Sequence, residues 1–509
     1  MAYPFDTIAA LIEAGSESAP AIGAPGRPSL SYGELRALAR RCVSEINAMG
    51  IGRGDRVAMV LPNGPEMASA FVALASGVTT APLNPAYKAD EFDFYLSDLN
   101  AKALLIQQGM DSPARAVAAA RNLPVIELIP DEGGAAGSFN LAPCGPVANP
   151  SSHGGVAGPQ DIALVLHTSG TTSRPKIVPL RQVNVTASAI HIVRTLELTS
   201  SDTCLNIMPL FHIHGLIAAV LSSLAAGGSV SCTTGFNAFG FFRAFDAVRP
   251  SWYTAVPSMH QAILPSAAQN ASIIERGRLR FIRSSSASLP PPVMAALEQA
   301  FKVPVIESYG MTEASHQMTS NPLPPGARHS GSVGLAAGPE VAIMDMEGAL
   351  LPSGQVGEVV IRGPNVTAGY ENNPDANATA FTKGWFRTGD QGVIDAEGYL
   401  RLTGRLKELI NRGGEKISPL EVDNVILDHP AVAQCVTFAV PHDKLGEEVA
   451  VALVLAEGQS VTEADLRAFA SQRLAAFKVP RRILVLDALP KGPTGKLTRI
   501  GLAEKLGLA

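Results

Sequence analysis

The residues that follow the apolar run 163–166 have the composition of a phosphate-binding loop. They read His-Thr-Ser-Gly-Thr-Thr-Ser-Arg-Pro-Lys, so the loop ends on the cation of Lys176. Backbone N–H groups and hydroxyls donate to phosphate oxygens, glycine allows close approach of the backbone, and a lysine adds positive charge. The alternative is a solvated Ser/Thr turn after a buried strand. The predicted phosphate-binding residues are Thr168, Ser169, Gly170, Thr171, Thr172 and Lys176.

A second motif, Ser-Tyr-Gly-Met-Thr-Glu, comes directly after the apolar run 303–306. Ends of strands are where α/β folds bind ligands. Tyr309 offers a flat face for a purine, Thr312 can donate to a phosphate, and Glu313 is an oxygen ligand suited to Mg²⁺. The same residues are also compatible with an ordinary strand-end turn, in which threonine caps the next segment and glutamate complements its dipole.

Two further motifs place single charged groups in turns. In Trp-Phe-Arg-Thr-Gly-Asp, the carboxylate of Asp390 follows a glycine turn and could accept both hydroxyls of a ribose. In Leu-Pro-Lys-Gly-Pro-Thr-Gly-Lys, Lys496 is held in a turn of glycine and proline, so its position is constrained. Taken alone, the first is also typical of a common turn aspartate and the second of a solvated lysine.

The segment 404–419 combines basic residues with paired glycines. Arg405 and Lys407 precede Gly413 and Gly414, a pattern that fits a mobile joint beside phosphates. A solvated hairpin is the alternative.

Alternating helix and strand patterns must position these motifs. Ser31 and Glu34 form a capping box before a run of apolar residues at helical spacing, and the apolar runs 57–61 and 103–106 are typical of buried strands. This alternation favours a layered α/β fold, with a β-rich subdomain over 341–399. We expect a large N-terminal domain, residues 1–404, and a small α+β C-terminal domain, residues 405–509.

Composition narrows the class of protein. The chain has 509 residues, too many for one core, with 46% hydrophobic and 17% charged residues. Its net charge of −5, without runs of like charge, argues against nucleic acid or an anionic membrane as partner. The five cysteines form no C-x-x-C pair, residues 1–20 lack the features of a signal peptide, and the apolar stretch 216–226 is too short to span a bilayer. We therefore expect a cytoplasmic protein.

In this order and spacing the motifs resemble the adenylate-forming acyl-CoA synthetase superfamily, over nearly the whole chain. The resemblance implies a large layered α/β domain and a small mobile C-terminal domain. His-Thr-Ser-Gly-Thr-Thr-Ser-Arg-Pro-Lys, Phe-His-Ile-His-Gly and Met-Thr-Glu-Ala-Ser-His-Gln-Met-Thr-Ser-Asn are most similar to the oxalate–CoA ligase branch.

The resemblance also implies the chemistry. ATP, Mg²⁺ and coenzyme A are expected ligands: a carboxylate attacks the α-phosphate of ATP, and the CoA thiol then displaces AMP. By resemblance, Lys496 bridges the acid and the α-phosphate, Glu313 holds Mg²⁺ and Tyr309 stacks on adenine. Asp390 and Arg405 hold the ribose. Lys407 occupies the hinge position, about which the small domain would rotate, removing Lys496 and bringing Gly413 and Gly414 to the CoA tunnel.

The acid is expected to bind against His214, Ser286 and His316, whose positions match the carboxylate pocket of the oxalate branch. Imidazole and hydroxyl groups supply donors for both ends of a small dianion. The alternatives are a packed histidine for His214 and a surface residue for His316. One departure from the superfamily is Ile177, which stands where glycine is usual and is costly if the backbone there needs a positive φ.

Other functions stay open at this point. The acid could be malonate or an aromatic acid such as 4-coumarate. The chain could also be a nucleotide-binding homologue with impaired turnover, or a ligase that transfers the acyl group to a carrier protein in trans. The sequence does not give the oligomeric state.

Overall fold

The computed structural model describes residues 4–146, 149–168, 175–490, 497 and 499–509. The predictions for Ser169, Gly170, Thr171, Thr172 and Lys496 lie outside these described residues. By packing, the chain divides into two compact units. The first comprises Met1–Leu289, Val293–Glu340 and Arg362–Phe381. The second comprises Pro290–Pro292, Val341–Ile361 and Thr382–Ala509. The predicted division into domains 1–404 and 405–509 stays a prediction.

Two large sheets form the first unit, as the described residues show it. The strands of the nine-stranded sheet are, in spatial order, Leu335–Ala336, His316–Ser320, Val305–Met311, Phe281–Ser284, Trp252–Ala255, Thr203–Asn206, Ser229–Cys232, Pro20–Ala24 and Arg27–Ser31. The strands of the seven-stranded sheet are Phe139–Cys144, Val125–Pro130, Ala103–Gln107, Arg56–Val60, Thr79–Pro82, Ile162–Thr168 and Lys176–Arg181. Inner strands such as Phe281–Ser284 are buried at every residue, as expected for parallel strands covered on both faces.

The helices connect and cover these strands. Pro291–Phe301 is counted with the first unit, although its first two residues belong to the second. The helices of the first unit are Ile8–Leu11, Tyr32–Ala48, Pro65–Ala75, Ala89–Asp98, Pro113–Ala120, Gln182–Thr195, His214–Leu221, Ser222–Ala225, Phe241–Val248, Pro257–Ile263, Leu264–Ser266, Ala268–Asn270, Ala271–Glu275, Pro291–Phe301, Thr312–Ala314 and Pro374–Ala380. The predicted capping box is present: Ser31 Oγ accepts from Glu34 N–H, and the Glu34 carboxylate accepts from Ser31 N–H. The stretch 214–221 is a π-helix. Among the residues described, no helix has the length and apolar character needed to cross a bilayer.

The second unit contains two smaller sheets. One consists of Glu340–Met344, Val356–Arg362, Trp385–Ile394, Phe381–Thr382 and Leu400–Arg405. The other consists of Glu415–Ile417, Ile410–Arg412, Gly446–Leu455, Val432–His442 and Arg482–Val485. Its helices are Pro419–Leu427, Glu463–Ser471 and Leu502–Lys505. Thr462 caps the second of these helices by accepting from the N–H of Asp465. The unit is β-rich before residue 405 and α+β after it, which confirms the fold class.

Two motifs differ from their predicted local structure. The strand Val305–Met311 does not end before the tyrosine motif but runs through it, because it pairs antiparallel with His316–Ser320. Gly310 permits this pairing, since a Cβ there would lie 1.6 Å from the carbonyl oxygen of His316. Asp390 likewise lies inside a strand rather than after a turn, because Gly389, with φ of +75°, bends Trp385–Ile394 without ending it.

Candidate active site

The flanks of the predicted phosphate loop are brought together by an antiparallel pair of strands. Ile162–Thr168 pairs with Lys176–Arg181, and Thr168 stands opposite Lys176 in the register. The loop between them lies outside the described residues. Two of the six residues predicted for phosphate binding therefore face each other at its base, and their role stays a prediction.

Ile177, the departure from the superfamily pattern, lies in the second of these strands. It stands opposite His167, is only 4% exposed, and packs in the hydrophobic core of the seven-stranded sheet. Its φ is not positive. A β-branched residue is well suited to such a position, so the strained alternative does not apply.

Lys176 and Glu313 are linked through a residue that sequence reasoning missed. The Nζ of Lys176 lies 4.4 Å from the ring centroid of Tyr370, and the phenolic O–H of Tyr370 donates to Glu313 Oε1 at 2.8 Å. Thr367 fixes the same segment, because its N–H donates to Glu313 O and its hydroxyl to Pro179 O. Tyr370 follows a glycine in an aperiodic stretch, so no periodic pattern marked it.

The environment of Glu313 fits a magnesium ion that is held mainly by a nucleotide. The side chain is buried, and no group of three or more metal-ligating side chains surrounds a common point in the described ranges. Mg²⁺ is usually bound by one or two carboxylates together with phosphate oxygens and water. When bound, it would neutralise the charge of the phosphates.

Thr312 and Tyr309 lie on the same hairpin as Glu313. Thr312 lines a small polar cavity with His167, Phe211 and His212. Tyr309 is 8% exposed, within the strand. The Phe-His-Ile-His-Gly motif and the end of the strand Ile162–Thr168 thus meet Thr312, the predicted phosphate donor. Stacking of Tyr309 on adenine stays a prediction.

The three residues predicted to bind the acid form one cluster. His214 Nδ1 lies 3.0 Å from Ser286 Oγ, and the rings of His214 and His316 are stacked with centroids 4.9 Å apart. Both histidines are 1% exposed, so neither is a surface residue. Thr254, which no sequence motif marks, completes the cluster: its Oγ1 lies 2.6 Å from His214 Nε2.

The backbone of this cluster is held in an unusual conformation. Ser286 has φ of +73° and His316 has φ of +99°, values that few residues other than glycine adopt. Such backbone strain persists only where the surrounding structure imposes it, and it is concentrated at functional sites. The strain therefore supports the prediction that these side chains are positioned for a ligand.

Asp390 and Arg405 of the second unit are brought together. They stand opposite each other in neighbouring strands, and Arg405 Nε donates to Asp390 Oδ1 at 2.9 Å. The aspartate is 7% exposed, whereas the arginine is exposed. The predicted ribose-binding pair is thus a preformed ion pair, and its ligand stays a prediction.

Lys407, Gly413 and Gly414 lie along one connection and hairpin of the same unit. Lys407 is exposed in the turn after Leu400–Arg405. Gly413 and Gly414, with φ of +61° and +94°, form the tip between Ile410–Arg412 and Glu415–Ile417. Gly413 N–H also donates to Leu445 O. Both glycines are needed for the tight turn, whatever their role toward coenzyme A.

Comparison with known proteins agrees with the motifs. The family model "AMP-binding enzyme" matches residues 13–371, and "AMP-binding enzyme C-terminal domain" matches residues 421–496. The chain is 46% identical to an oxalate–CoA ligase of Arabidopsis thaliana, covering 98% of each chain. It is 43% identical to an oxalate–CoA ligase of Saccharomyces cerevisiae, covering 89% of this chain and 87% of the relative.

A solved structure supports the same assignment. The ATP-bound structure of MatB from Rhodopseudomonas palustris is similar with a TM-score of 0.87 and 29% identity, covering 98% of each chain. The superfamily resemblance is therefore confirmed, and with it the expectation of ATP, Mg²⁺ and coenzyme A as ligands. The chain belongs to the AMP-binding enzyme family and is an AMP-forming acyl-CoA synthetase.

Proposed function

We propose that this enzyme is an oxalate–CoA ligase, which converts oxalate, ATP and CoA to oxalyl-CoA, AMP and diphosphate. The observation that carries the proposal is the cluster of His214, Ser286, His316 and Thr254, in which every functional group is an imidazole or a hydroxyl. A fatty or aromatic acid requires an apolar slot, whereas a small dianion requires donors at both ends. The similarity to oxalate–CoA ligases from a plant and a yeast supports the same acid.

In the first half-reaction, a carboxylate oxygen of the acid attacks the α-phosphorus of ATP. The bond from that phosphorus to the bridging oxygen breaks, and diphosphate leaves with the bonding electrons. Because two anions must approach each other, cationic groups are required where their charges meet. We assign this role to Lys496, with Lys176 at the base of the phosphate loop and Glu313 holding the magnesium ion.

In the second half-reaction, the CoA thiol loses its proton to solvent and its sulfur attacks the carbonyl carbon. The carbon–oxygen bond to AMP breaks, and AMP leaves with the bonding electrons. We propose that the C-terminal domain turns about Lys407 between the two steps, so that Gly413 and Gly414 replace Lys496 at the reaction site. Exchange of one catalytic element for another explains how one site supports both reactions. We further propose that the enzyme acts in the cytoplasm.

An acid panel tests the proposal. Purified enzyme is given ATP, Mg²⁺, CoA and one acid, and AMP and the acyl-CoA product are quantified with oxalate, malonate and 4-coumarate. We expect kcat/KM for oxalate to exceed that for the other acids by about a hundredfold or more, since a site built to hydrogen-bond a polar group rejects analogues that leave its donors unpaired. A preference for 4-coumarate would overturn the proposal. ATP binding without turnover of any acid would instead indicate a homologue with impaired turnover.

A further inference from the structure

A wholly buried arginine lies behind the acid cluster. Arg283 is in the strand Phe281–Ser284 and is 0% exposed. Within the described part of the chain it forms no ion pair with a carboxylate, and its Nε has no hydrogen-bond partner. Arginines are almost never fully buried unless they are paired with an anion, so this side chain requires an explanation.

Arg283 contacts the cluster at two points. Its Nη1 donates to Thr254 Oγ1 at 3.5 Å, and its Nη2 donates to Gln317 Oε1 at 3.4 Å. Thr254 is the register partner of Arg283 on the neighbouring parallel strand, so both side chains emerge on the same face of the sheet. Gln317 directly follows His316 in the chain. The guanidinium is therefore one side chain away from His214 and one residue away from His316.

The contact with Thr254 favours one tautomer of His214. Because Thr254 Oγ1 accepts from Arg283, its single hydrogen is available to His214 Nε2, which lies 2.6 Å away. When Thr254 donates this hydrogen to Nε2, the neutral imidazole carries its N–H on Nδ1, which faces Ser286 Oγ. In this arrangement the arginine orients a donor toward Ser286, which is less buried than His214.

The charge of Arg283 is the second part of the argument. Burial lowers the pKa of Arg283 to about 9, so the guanidinium is still charged at neutral pH. An unpaired buried charge is costly, and both of its protein acceptors here are neutral and distant. A bound anion would offset this cost. Only one of the two carboxylates of a dianionic acid reacts with ATP. The other carboxylate is such an anion, and a monocarboxylic acid lacks it.

We propose that Arg283 is a positioning residue that sets the preference of the acid pocket for a dianion. Its positive charge lowers the free energy of the second carboxylate, and its bond to Thr254 holds the N–H of His214 toward Ser286. This inference rests on the proposed function, because it concerns how the same pocket selects its acid.

The test compares a dianion with a monoanion of similar size. Steady-state kcat and KM are measured for oxalate and glyoxylate, and for ATP, in the wild type and in the variants Arg283→Met and Arg283→Lys. Arg280→Gln is the matched control, because Arg280 directly precedes the same strand, is exposed and pairs with Asp202. Thr254→Val separates the two contributions, since it removes the bridging hydroxyl and keeps the charge. Methionine is chosen because a buried charge replaced by an apolar side chain of similar volume is usually tolerated.

For Arg283→Met we expect kcat/KM for oxalate to fall by roughly ten- to a hundredfold, while kcat/KM for glyoxylate and KM for ATP change less than about threefold. We expect Arg283→Lys to restore most of the preference for oxalate and Arg280→Gln to leave that preference unchanged. Thr254→Val should lower kcat/KM for oxalate and for glyoxylate by the same factor. If kcat/KM for oxalate, glyoxylate and ATP falls by the same factor in Arg283→Met, the arginine has only a structural role and the inference is overturned. If Arg283→Met does not fold, the inference is overturned when Arg283→Lys shows no preference for oxalate over glyoxylate. Failure of the wild type to use oxalate would reject the proposed function instead.

Discussion

Tyr370 donates its phenolic O–H to the carboxylate of Glu313 over 2.8 Å. The same ring lies 4.4 Å from the ammonium of Lys176, so one aromatic side chain contacts both the predicted magnesium ligand and the predicted phosphate lysine. Residues that orient a metal ligand in this way tune its affinity for the ion. Tyr370 therefore links two parts of the ATP site that lie far apart in the sequence.

We predict that Tyr370→Phe weakens the use of MgATP, because it removes the hydrogen bond to Glu313 and keeps the ring beside Lys176. The apparent KM for MgATP should rise by about tenfold, as is typical when a partner of a metal ligand is lost. Tyr370→Leu, which also removes the ring, should raise the apparent KM for MgATP further. Titration of diphosphate release against MgATP measures both, with Tyr399→Phe in the second unit as control. Identical MgATP dependence in Tyr370→Phe and the wild type would exclude this role.

The sequence predicted residue types at the site better than their local geometry. Motifs alone indicate Lys176, Glu313, His214 and His316. In the structure, Tyr370 links Lys176 with Glu313, and the rings of His214 and His316 are stacked. The path of the strand through Tyr309 was not predictable, because it depends on pairing with His316–Ser320 and on the close approach that Gly310 permits.

Residues outside any motif could not be selected from one sequence. Thr254, Arg283 and Tyr370 lie in segments whose patterns indicate only a strand or a turn. Their significance arises from neighbours that are distant in the chain, as when Arg283 meets Thr254 across two parallel strands. A single sequence contains no signal for such contacts.

A buried glutamate makes the stability of the first unit pH-dependent. Glu307 is 1% exposed, and burial raises the pKa of its carboxyl to about 8, while its Oε1 accepts from Leu289 N–H. Because the folded state holds this proton more tightly than the unfolded state, stability is lost as pH rises from about 4.5 through about 8.

Glu307→Gln should remove this loss, since an amide does not ionise and its oxygen still accepts from Leu289. Melting temperatures measured from about pH 6 to about pH 9 should diverge, with the variant the more stable at the alkaline end and similar to the wild type at the acidic end. Parallel curves over this range would mean that Glu307 does not titrate.

In the second unit, an ion pair with a buried aspartate anchors Arg499, three residues after Lys496. Arg499 pairs with Asp423 and lies 3.7 Å from Glu408 Oε2, while Asp423 also accepts from Thr437 N–H. Removal of one member of a buried pair leaves the other charge uncompensated. Arg499→Met should therefore destabilise the second unit by about 3 to 5 kcal/mol.

The double variant Asp423→Asn, Arg499→Met should recover much of this stability, because the asparagine oxygen still accepts from Thr437 and no charge remains buried. Denaturant unfolding of the three proteins measures the effect. A double variant that is less stable than Arg499→Met would show that the uncompensated charge of Asp423 is not the cause of the instability.

Lys496 is predicted to serve only the first half-reaction. Lys496→Ala should abolish formation of the acyl-adenylate and spare thioester formation from supplied acyl-adenylate and CoA, because the lysine is needed only where acid and α-phosphate meet. Each half-reaction is assayed separately, with Lys491→Ala as the neighbouring control. If both half-reactions proceed normally in Lys496→Ala, the assignment of this lysine is wrong.

Acid-dependent exchange of labelled diphosphate into ATP without CoA tests the choice of acid most directly, because it reports reversible formation of the acyl-adenylate alone. We expect exchange with oxalate, none above background with 4-coumarate, and a loss of at least about a hundredfold in His214→Ala. Exchange that is driven by 4-coumarate, or that is unchanged when oxalate is omitted, would contradict the claim that the cluster of His214, Ser286 and His316 selects a small dianionic acid for adenylation.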